Sequence, residues 1–413
     1  MRIVQLANFY TPASGGLRTC VDEIGRGYLA AGHDRVLVVP GLTEADEQTP
    51  SGRRITLRGP RFGSGGYHVL TARRTKPLLQ QLRPDVIECS DKLSMRWLAP
   101  WARRHGVPLV LFSHERIDAI LRTRVPPGFP LATAADLANR RLSARAEYIV
   151  VTSGFARAEF TRIGARNVRR VPLGVDLDIF HPLEPIAEPA GALRGAADRS
   201  RHLGAVPDGT ARAEAPRSHV AVPAGGPDDD LSGAAVNLVL VSRLSREKHP
   251  GRAIEALRLL VHAGIAAQLT VIGDGPLRER LQQRAAGLPV QFLGHVTDRA
   301  VMADLVARAD VAVCPSPAET FGLAVLEALA CGTPVVVPRD GAARELLGPV
   351  GSGIECDGTP DGLAAGVQAL LRVPAVERRR AARLSAERFP WSATVTGMLE
   401  LYAGYLPTAQ AAG

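Results

Sequence analysis

Short apolar runs alternate with longer stretches of helical periodicity along most of this chain, and the whole series occurs twice. Short buried strands separated by amphipathic helices are typical of doubly wound parallel sheets, in which helices cover both faces. Strands are predicted at 3–7, 36–39, 85–88, 109–112 and 148–152, and then at 237–242, 268–272, 290–293, 311–314 and 334–337. Helices are predicted at 16–31, 250–263, 276–286 and 321–330. The sequence therefore predicts an α/β chain with two parallel-sheet domains.

Residues 184–235 interrupt this pattern. They lose all periodicity and are rich in Ala, Gly, Pro, Asp and Arg, so we predict a disordered linker or insertion there. The flanking domains are then 1–183 and 236–388, each of a size that one hydrophobic core can support. Residues 389–413 regain a helical apolar stripe. A helix with such a stripe has to bury it, and the first domain is its expected partner.

Composition and charge narrow the class of protein. No apolar run approaches the roughly 20 residues of a membrane-spanning helix, and the first residues are predicted to form a buried strand rather than a signal peptide. The five cysteines are scattered without metal-ligand spacing, which favours a cytoplasmic protein with reduced thiols. Residues 1–180 hold 27 Lys and Arg against 16 Asp and Glu. Such a basic half can bind an anionic membrane or an acidic substrate, or it can simply be a solvent-exposed charged surface. The sequence contains no nucleic-acid-binding motif.

The strongest chemical signal lies in 315–334, which follows the predicted strand at 311–314 and opens a helix. Doubly wound sheets bind ligands at the carboxyl ends of their strands, which is where this segment is predicted to lie. The first turn of a helix offers unpaired N–H groups to a phosphate. Gly322 would let the backbone approach such a ligand closely. Glu319 precedes the helix and Glu327 is predicted about two turns into it, where carboxylates accept hydrogen bonds from sugar hydroxyls. Alone, this pair would more simply be one capping and one surface glutamate.

With its neighbours, this segment resembles a family 4 glycosyltransferase of the GT-B superfamily, whose hallmark is two glutamates with seven residues between them. The segment 241–248 is similar to the family's strand end that supplies Arg and Lys to the donor diphosphate. Further similar segments are 170–176, 271–277, 292–294 and the glycine pair at 15–16. The resemblance covers nearly the whole chain apart from 184–235. It implies two Rossmann-like domains that face each other across a cleft.

The resemblance also implies a site. Its donor-binding residues would be Gly16, Arg243, Lys248, Thr320, Phe321, Gly322, Leu323 and Glu327. The two cations would neutralise the diphosphate, which suits a site without a metal or cofactor, and no metal-ligand cluster is apparent in the sequence. Glu327 would hold the nucleotide ribose. The catalytic residues would be His114, at the end of the strand predicted at 109–112, and Glu319, both in contact with the transferred sugar.

The implied reaction is retaining transfer of a hexose from a nucleoside diphosphate sugar to a hydroxyl. GDP-mannose is slightly favoured as the donor over a UDP-sugar. The basic first half favours a phosphorylated or membrane-lipid acceptor, with Asp91 and Arg116 as candidates to face it and a peripheral position at the inner face of the cell membrane. The alternatives are a nucleotide-sugar epimerase of the same fold and a non-enzymatic basic scaffold that binds membrane or nucleic acid. The scaffold leaves the Arg243, Lys248, Glu319 and Glu327 set unexplained.

Overall fold

The computed structural model describes residues 1–11, 15–62, 67–118, 131–183 and 235–404. The insertion predicted at 184–235 lies outside these residues except for its last position. The first half has strands β1 Arg2–Leu6, β2 Asp34–Gly41, β3 Ala45–Thr49, β4 Gly52–Arg58, β5 Arg61–Phe62, β6 Tyr67–His68, β7 Val86–Cys89, β8 Leu109–Ser113, β9 Tyr148–Val151 and β10 Val168–Arg170. Its helices are α1 Gly16–Ala30, α2 Ala72–Leu82, α3 Met95–His105, α4 Leu131–Ser143 and α5 Gly154–Thr161.

The second half repeats the alternation. Its strands are β11 Val236–Val241, β12 Ala267–Ile272, β13 Val290–Gly294, β14 Val311–Val313, β15 Val335–Pro338 and β16 Gly353–Cys356. Its helices are α6 Gly251–His262, α7 Arg278–Arg284, α8 Arg299–Ala307, α9 Leu323–Ala330, α10 Pro360–Leu371, α11 Ala375–Ala386 and α12 Trp391–Ala403, with 3₁₀ turns at Arg246–Lys248 and Ala343–Leu346.

Each half is built on its own sheet. The first has the strand order β10-β9-β8-β7-β1-β2-β4-β3, with all neighbours parallel except β3 and β4. The second has the order β13-β12-β11-β14-β15-β16 and is parallel throughout. The winding direction reverses between β1 and β7 in the first sheet and between β11 and β14 in the second. Doubly wound sheets bind ligands at such switch points, beyond the carboxyl ends of the strands.

Every strand predicted from the sequence is present, and the expected α/β class with two parallel sheets is confirmed. The unpredicted strands include β3, at one edge of the first sheet, and β4, next to it, whose sequences ADEQT and GRRITLR are largely polar. Edge strands need no continuous apolar run, and charged edges discourage pairing with other chains. One local prediction needs correction: α9 begins at Leu323, so Glu327 lies about one turn into the helix instead of two.

Helix α12 returns to the first sheet's side of the molecule and packs on α1. Its entry is fixed where Val175 N donates to Phe389 O and Thr394 Oγ1 donates to Pro172 O, at 2.9 Å each. At its far end the Tyr402 hydroxyl donates to Glu88 Oε2 at 2.7 Å, inside the first domain. No helix in the described part of the chain is long and apolar enough to cross a membrane.

A buried polar network lies beneath this contact. Glu88 is 1% exposed and accepts hydrogen bonds from Tyr28, Tyr402 and Gln5. Arg35, also 1% exposed, donates to Gln5 Oε1 at 2.6 Å and to the backbone oxygens of Ser51 and Val21. Burial raises the pKa of Glu88 and lowers that of Arg35 to about 10. The network satisfies these buried groups and ties β1, β2, β7 and α12 together.

Candidate functional site

The chemical segments found in the sequence lie at the switch point of the second sheet. Strand β11 leads into 242–248, and β14 leads into the loop that precedes α9. Leu244 N donates to Asp274 O at 2.9 Å, and Leu277 N donates to Leu244 O at 3.0 Å, so the segment 271–277, which resembles the family, packs directly on 242–248. Segments that are far apart in the sequence thus lie together at the carboxyl end of the second sheet, because the strands that they follow are neighbours.

Two cations lie in the segment after β11. Lys248 Nζ donates to Glu319 Oε1 at 2.6 Å, and both side chains are about a quarter exposed. The guanidinium of Arg243 is paired with Glu247 and stays about half exposed. Ser245 Oγ also donates to Glu247, at 2.7 Å. The structure therefore brings Lys248 to Glu319 over 71 residues of sequence and leaves Arg243 accessible beside them.

The start of α9 is arranged to receive an anion. Gly322 precedes the helix with φ 98° and ψ 58°, a left-handed conformation that strains any residue with a Cβ. Among the described residues no side chain caps this end of the helix, so the first N–H groups stay available and the helix dipole favours negative charge. Gly16 lies opposite: an added Cβ there would come within 3.3 Å of Leu323 Cδ1. The glycine pair of the first domain thus faces the helix start of the second.

Thr320 joins the two halves at the centre of the site. Its hydroxyl donates to the backbone oxygen of His114 at 2.6 Å. Its own carbonyl accepts hydrogen bonds from the hydroxyls of Thr152, at 2.9 Å, and Ser153, at 2.5 Å. These residues follow β8 and β9, so the carboxyl edge of the first sheet meets the loop that carries Glu319.

His114 lies against Phe112, with ring centroids 4.5 Å apart. Its Nε2 is buried and has no hydrogen-bond partner among the described residues. Burial lowers the pKa of His114 to about 3, and the charge of Lys92 adds to the effect. The imidazole is therefore neutral at neutral pH. A buried polar atom without a partner is uncommon, which sets His114 apart from the other histidines of the described residues.

Glu327 is held beneath the site by Arg299. The guanidinium of Arg299 lies 3.6 Å from Glu327, 3.0 Å from Glu23 of α1 and over the ring of Phe180. Burial raises the pKa of Glu327 to about 7, although Arg299 opposes the shift and Glu23 adds to it. Arg299 therefore links the donor-side glutamate to a helix of the other half.

Sequence reasoning did not find Arg299, Glu23 or the hydroxyls of Thr152 and Ser153. Ser153 had a local signal, because it follows a strand and caps α5 by accepting from Ala156 N. Arg299 had no such local signal in the sequence, since a charged residue in the first turn is ordinary on a surface helix. Glu345 was also missed, and its carboxylate accepts from Gly154 N and Phe155 N at 2.8 Å each, across the two halves.

The two residues suggested for the acceptor are engaged internally. Arg116 is paired with Asp118 at 2.6 Å and donates to Phe155 O. Asp91 is 4% exposed and accepts from Ser94 N before α3. Within the described ranges no cluster of three or more His, Cys, Asp and Glu side chains could hold a metal ion.

Comparison with known proteins places this geometry in a family. Residues 235–388 match the family described as Glycosyl transferases group 1, and residues 14–179 match Glycosyltransferase Family 4. A GDP-mannose-dependent alpha-(1-6)-phosphatidylinositol dimannoside mannosyltransferase of Mycobacterium tuberculosis is 42% identical over 97% of this chain and 95% of its own length. A D-inositol 3-phosphate glycosyltransferase of Thermomonospora curvata is 29% identical over 76% of this chain and 70% of its own.

Solved structures agree on the fold. Sucrose-phosphate synthase from Thermosynechococcus elongatus superimposes with a TM-score of 0.71, at 21% identity and 98% coverage of both chains. Anabaena Alr3699/HepE, solved in complex with UDP and glucose, superimposes with a TM-score of 0.67 at 19% identity, over 98% of this chain and 99% of that one. The chain therefore belongs to the family 4 glycosyltransferases and is a hexosyltransferase with the GT-B fold.

Proposed function

We propose that this enzyme transfers mannose from GDP-mannose, with retention of configuration, to a hydroxyl of a phosphorylated, lipid-linked acceptor. The observation that carries the proposal is the contact of Lys248 with Glu319 at the switch point. The next residue, Thr320, donates a hydrogen bond to the backbone oxygen of His114. This arrangement gives cations, helix N–H groups and sugar-binding groups a common centre. The 42% identical mannosyltransferase favours GDP-mannose over a UDP-sugar.

The diphosphate would lie between Lys248, Arg243 and the start of α9. Leaving of the nucleotide concentrates negative charge on the β-phosphate, and fixed cations and N–H groups stabilise that charge without having to reorganise. Arg243 offers a fork of donors and Lys248 a point charge. Backbone groups of 320–323 would complete the contacts with diphosphate and sugar, and Gly16 would leave room on the opposite side.

The transfer step breaks the bond between the anomeric carbon and the phosphate oxygen. The acceptor oxygen bonds to the same carbon from the same face, and its proton passes to the leaving phosphate. Glu319 would accept hydrogen bonds from hydroxyls of the mannose. His114, which is neutral because of its burial, would contact the sugar as a hydrogen-bonding group and not as a cation. Electrostatic preorganisation, more than a covalent nucleophile, would lower the barrier.

The acceptor would bind on the side of the first domain. That half carries the excess of basic residues, 27 Lys and Arg against 16 Asp and Glu in residues 1–180, which favours an anionic partner. The mannosyltransferase relative is named for a phosphatidylinositol dimannoside acceptor. We place the enzyme peripherally at the inner face of the cell membrane, where a lipid-linked acceptor and a nucleotide sugar meet.

The donor is tested by thermal unfolding with GDP, UDP, ADP and their sugar conjugates. GDP and GDP-mannose should stabilise the wild type by about 2.7 kcal/mol at a hundredfold excess over Kd, which raises Tm by several degrees. Arg243→Ala should lose most of this shift. Arg308→Ala, which removes a cation from an exposed pair at the end of α8, should keep it. A larger Tm shift with UDP or ADP would mean that the donor is a sugar conjugate of that nucleotide instead of GDP-mannose. No Tm shift with any nucleotide would contradict the proposed site.

Donor affinity should depend on the protonation of Glu327. The pKa of Glu327 is about 7 without donor, and only its ionised form accepts hydrogen bonds from both ribose hydroxyls. Lowering the pH below 7 protonates it, so GDP affinity should fall up to about tenfold per pH unit and level off above 7. The measurement is GDP binding by calorimetry from pH 5.5 to 8.5.

The control for this pH profile is Glu327→Gln. The phosphate of GDP also titrates near pH ~6, so the difference between wild type and variant isolates the carboxylate. Glu377→Gln, an exposed glutamate on α11, should leave the wild-type profile unchanged. Superimposable profiles for wild type and Glu327→Gln would show that Glu327 does not hold the ribose.

A further inference from the structure

The guanidinium of Arg299 lies between two carboxylates that belong to different halves of the molecule. Arg299 begins α8, whose first turn is capped by the Asp298 carboxylate, and its guanidinium carbon lies 5.1 Å from the ring centroid of the buried Phe180. Its Nη1 donates to Glu23 of α1 at 3.0 Å, and its Nη2 lies 3.6 Å from Glu327 of α9. One cation therefore contacts both the first domain and the glutamate proposed to hold the ribose.

The two contacts of Arg299 are unequal. A separation of 3.0 Å is an ordinary hydrogen bond, whereas 3.6 Å is an ion pair without a hydrogen bond. Arg299 Nε is buried and has no hydrogen-bond partner among the described residues, so the two carboxylates do not take up all of its donors. Glu23 thus holds the guanidinium more closely, and Glu327 receives only part of the charge compensation that Arg299 can give.

The ionisation of Glu327 depends on this division. Burial raises the pKa of Glu327 to about 7, Arg299 opposes the rise and Glu23 adds to it. Glu23 acts in two ways, because its own negative charge disfavours a second carboxylate nearby and because it draws the guanidinium away from Glu327. Removing Arg299 should therefore raise the pKa of Glu327, and removing the charge of Glu23 should lower it.

The other charged and titratable side chains around α9 leave this balance to Arg299 and Glu23. Arg26 of α1 is itself paired with Glu23, at 2.6 Å. Cys331, at the end of α9, stays protonated because burial raises the pKa of its thiol to about 12. Further charged side chains of the elements packed on α9 are each bound to backbone groups or to an ion-pair partner: Asp304 and Arg308 of α8 and its end, Arg378, Arg379 and Arg383 of α11, and Arg344 and Glu345 of the 3₁₀ turn.

We propose that Arg299 is a positioning residue of the donor site, which keeps the Glu327 carboxylate ionised and oriented for the nucleotide ribose, and that Glu23 opposes it by drawing the guanidinium across the interface. A residue of the first domain thereby lowers the affinity of the second domain for its nucleotide. The effect on nucleotide affinity rests on the proposed role of Glu327 at the ribose, whereas the effect on the Glu327 carboxyl can be measured without any donor.

The first test is a pH titration without donor, followed by carbon-13 NMR of the full chain labelled at the glutamate side-chain carboxyls. Loss of a signal in Glu327→Gln identifies Glu327. Arg299→Met should raise its titration midpoint by about one pH unit, and Glu23→Gln should lower it. Arg299→Lys keeps a positive charge and should titrate close to wild type. Glu44→Gln, the control, changes an exposed glutamate of the first domain that is paired with Arg74, and it should leave the midpoint unchanged.

The second test is GDP binding by calorimetry in the same variants. At pH ~6.5, Arg299→Met should bind GDP up to about tenfold more weakly than wild type. Glu23→Gln should bind it up to about fourfold more tightly, since about a quarter of the wild-type Glu327 is already ionised there. In a Glu327→Gln background, neither substitution should change the affinity for GDP. A purely structural role of the Arg299–Glu23 pair would instead weaken binding in both variants.

The outcomes separate this proposal from the proposed function. Midpoints of Glu327 that stay in place, or that move in the same direction in Arg299→Met and Glu23→Gln, would overturn the role of Arg299. If Arg299→Met does not fold, an unchanged or higher midpoint in Glu23→Gln would overturn it equally. Opposite NMR shifts without any GDP binding by wild type would support the control of Glu327 by Arg299 and refute the proposed donor site.

Discussion

Lys248→Ala is expected to lower kcat/KM for mannosyl transfer by about 10²–10³, the usual cost of removing one group aimed at developing charge. Lys248 Nζ lies 2.6 Å from Glu319, so the substitution would remove the proposed diphosphate-binding cation and also free the glutamate that would contact the sugar. Arg243→Ala should cost a similar factor. The loss should appear in kcat as well as in KM, because the cations act most strongly when the phosphate leaves. Steady-state kinetics with radiolabelled donor measure both.

Arg308→Ala, the exposed cation control at the end of α8, should retain wild-type kinetics. Lys248→Arg should recover part of the lost kcat, since it restores the charge in a different geometry. The far-ultraviolet spectrum and Tm of Lys248→Ala should match wild type, because the side chain is a quarter exposed and lies outside the cores. If Lys248→Ala keeps more than about a tenth of the wild-type kcat/KM, Lys248 does not take part in the transfer step as predicted.

Arg35→Met should lower the free energy of unfolding by about 3–5 kcal/mol, as breaking a buried charged network typically does. The guanidinium is 1% exposed and donates to Gln5 Oε1, Ser51 O and Val21 O. Methionine fills much of the volume but leaves these buried acceptors without a donor, and each unsatisfied acceptor costs about 1–3 kcal/mol before water or rearrangement compensates. Urea unfolding monitored by tryptophan fluorescence measures the change.

Arg53→Met is the control on the adjacent strand β4. Its pair with Asp46 is exposed, so the free energy of unfolding should change by no more than about 0.5 kcal/mol. Arg35→Met should leave GDP binding intact below its unfolding transition, since β2 is not at the switch point. Equal stability losses in the two variants would mean that the Arg35 network does not hold the first domain together.

The sequence predicted the buried strands because each one is a local apolar run of four to eight residues, a pattern that needs no knowledge of neighbours. It missed β3, which lies at the sheet edge, and β4, which pairs with β3; the sequences of both strands are largely polar. Being at an edge is a property of the strand order, which no local pattern contains. The domain boundaries at 183 and 236 stay predictions, since the segment between them lies outside the described residues.

The residues of the candidate site also divide into those that the sequence predicted and those that only the structure showed. The glutamate pair, Arg243 and Lys248 stood out because they follow buried strands at fixed spacing and resemble a known family. Arg299 and Glu23 could not be found, because they come from α8 and α1 and meet only when the two halves pack together. The contact of Thr320 with His114 spans 206 residues and is likewise invisible in the sequence.

By itself, the sequence determined the α/β class, the two sheets, the family and the segments that carry the chemistry, because these depend on local hydrophobic pattern and on motifs confined to short stretches. Only the tertiary structure decided which side chains meet: Lys248 with Glu319, and Arg299 with Glu327 and Glu23. It also decided that His114 is neutral and that the pKa of Glu327 lies near 7. Contacts and pKa values depend on burial and on neighbours from distant parts of the chain, which exist only after folding.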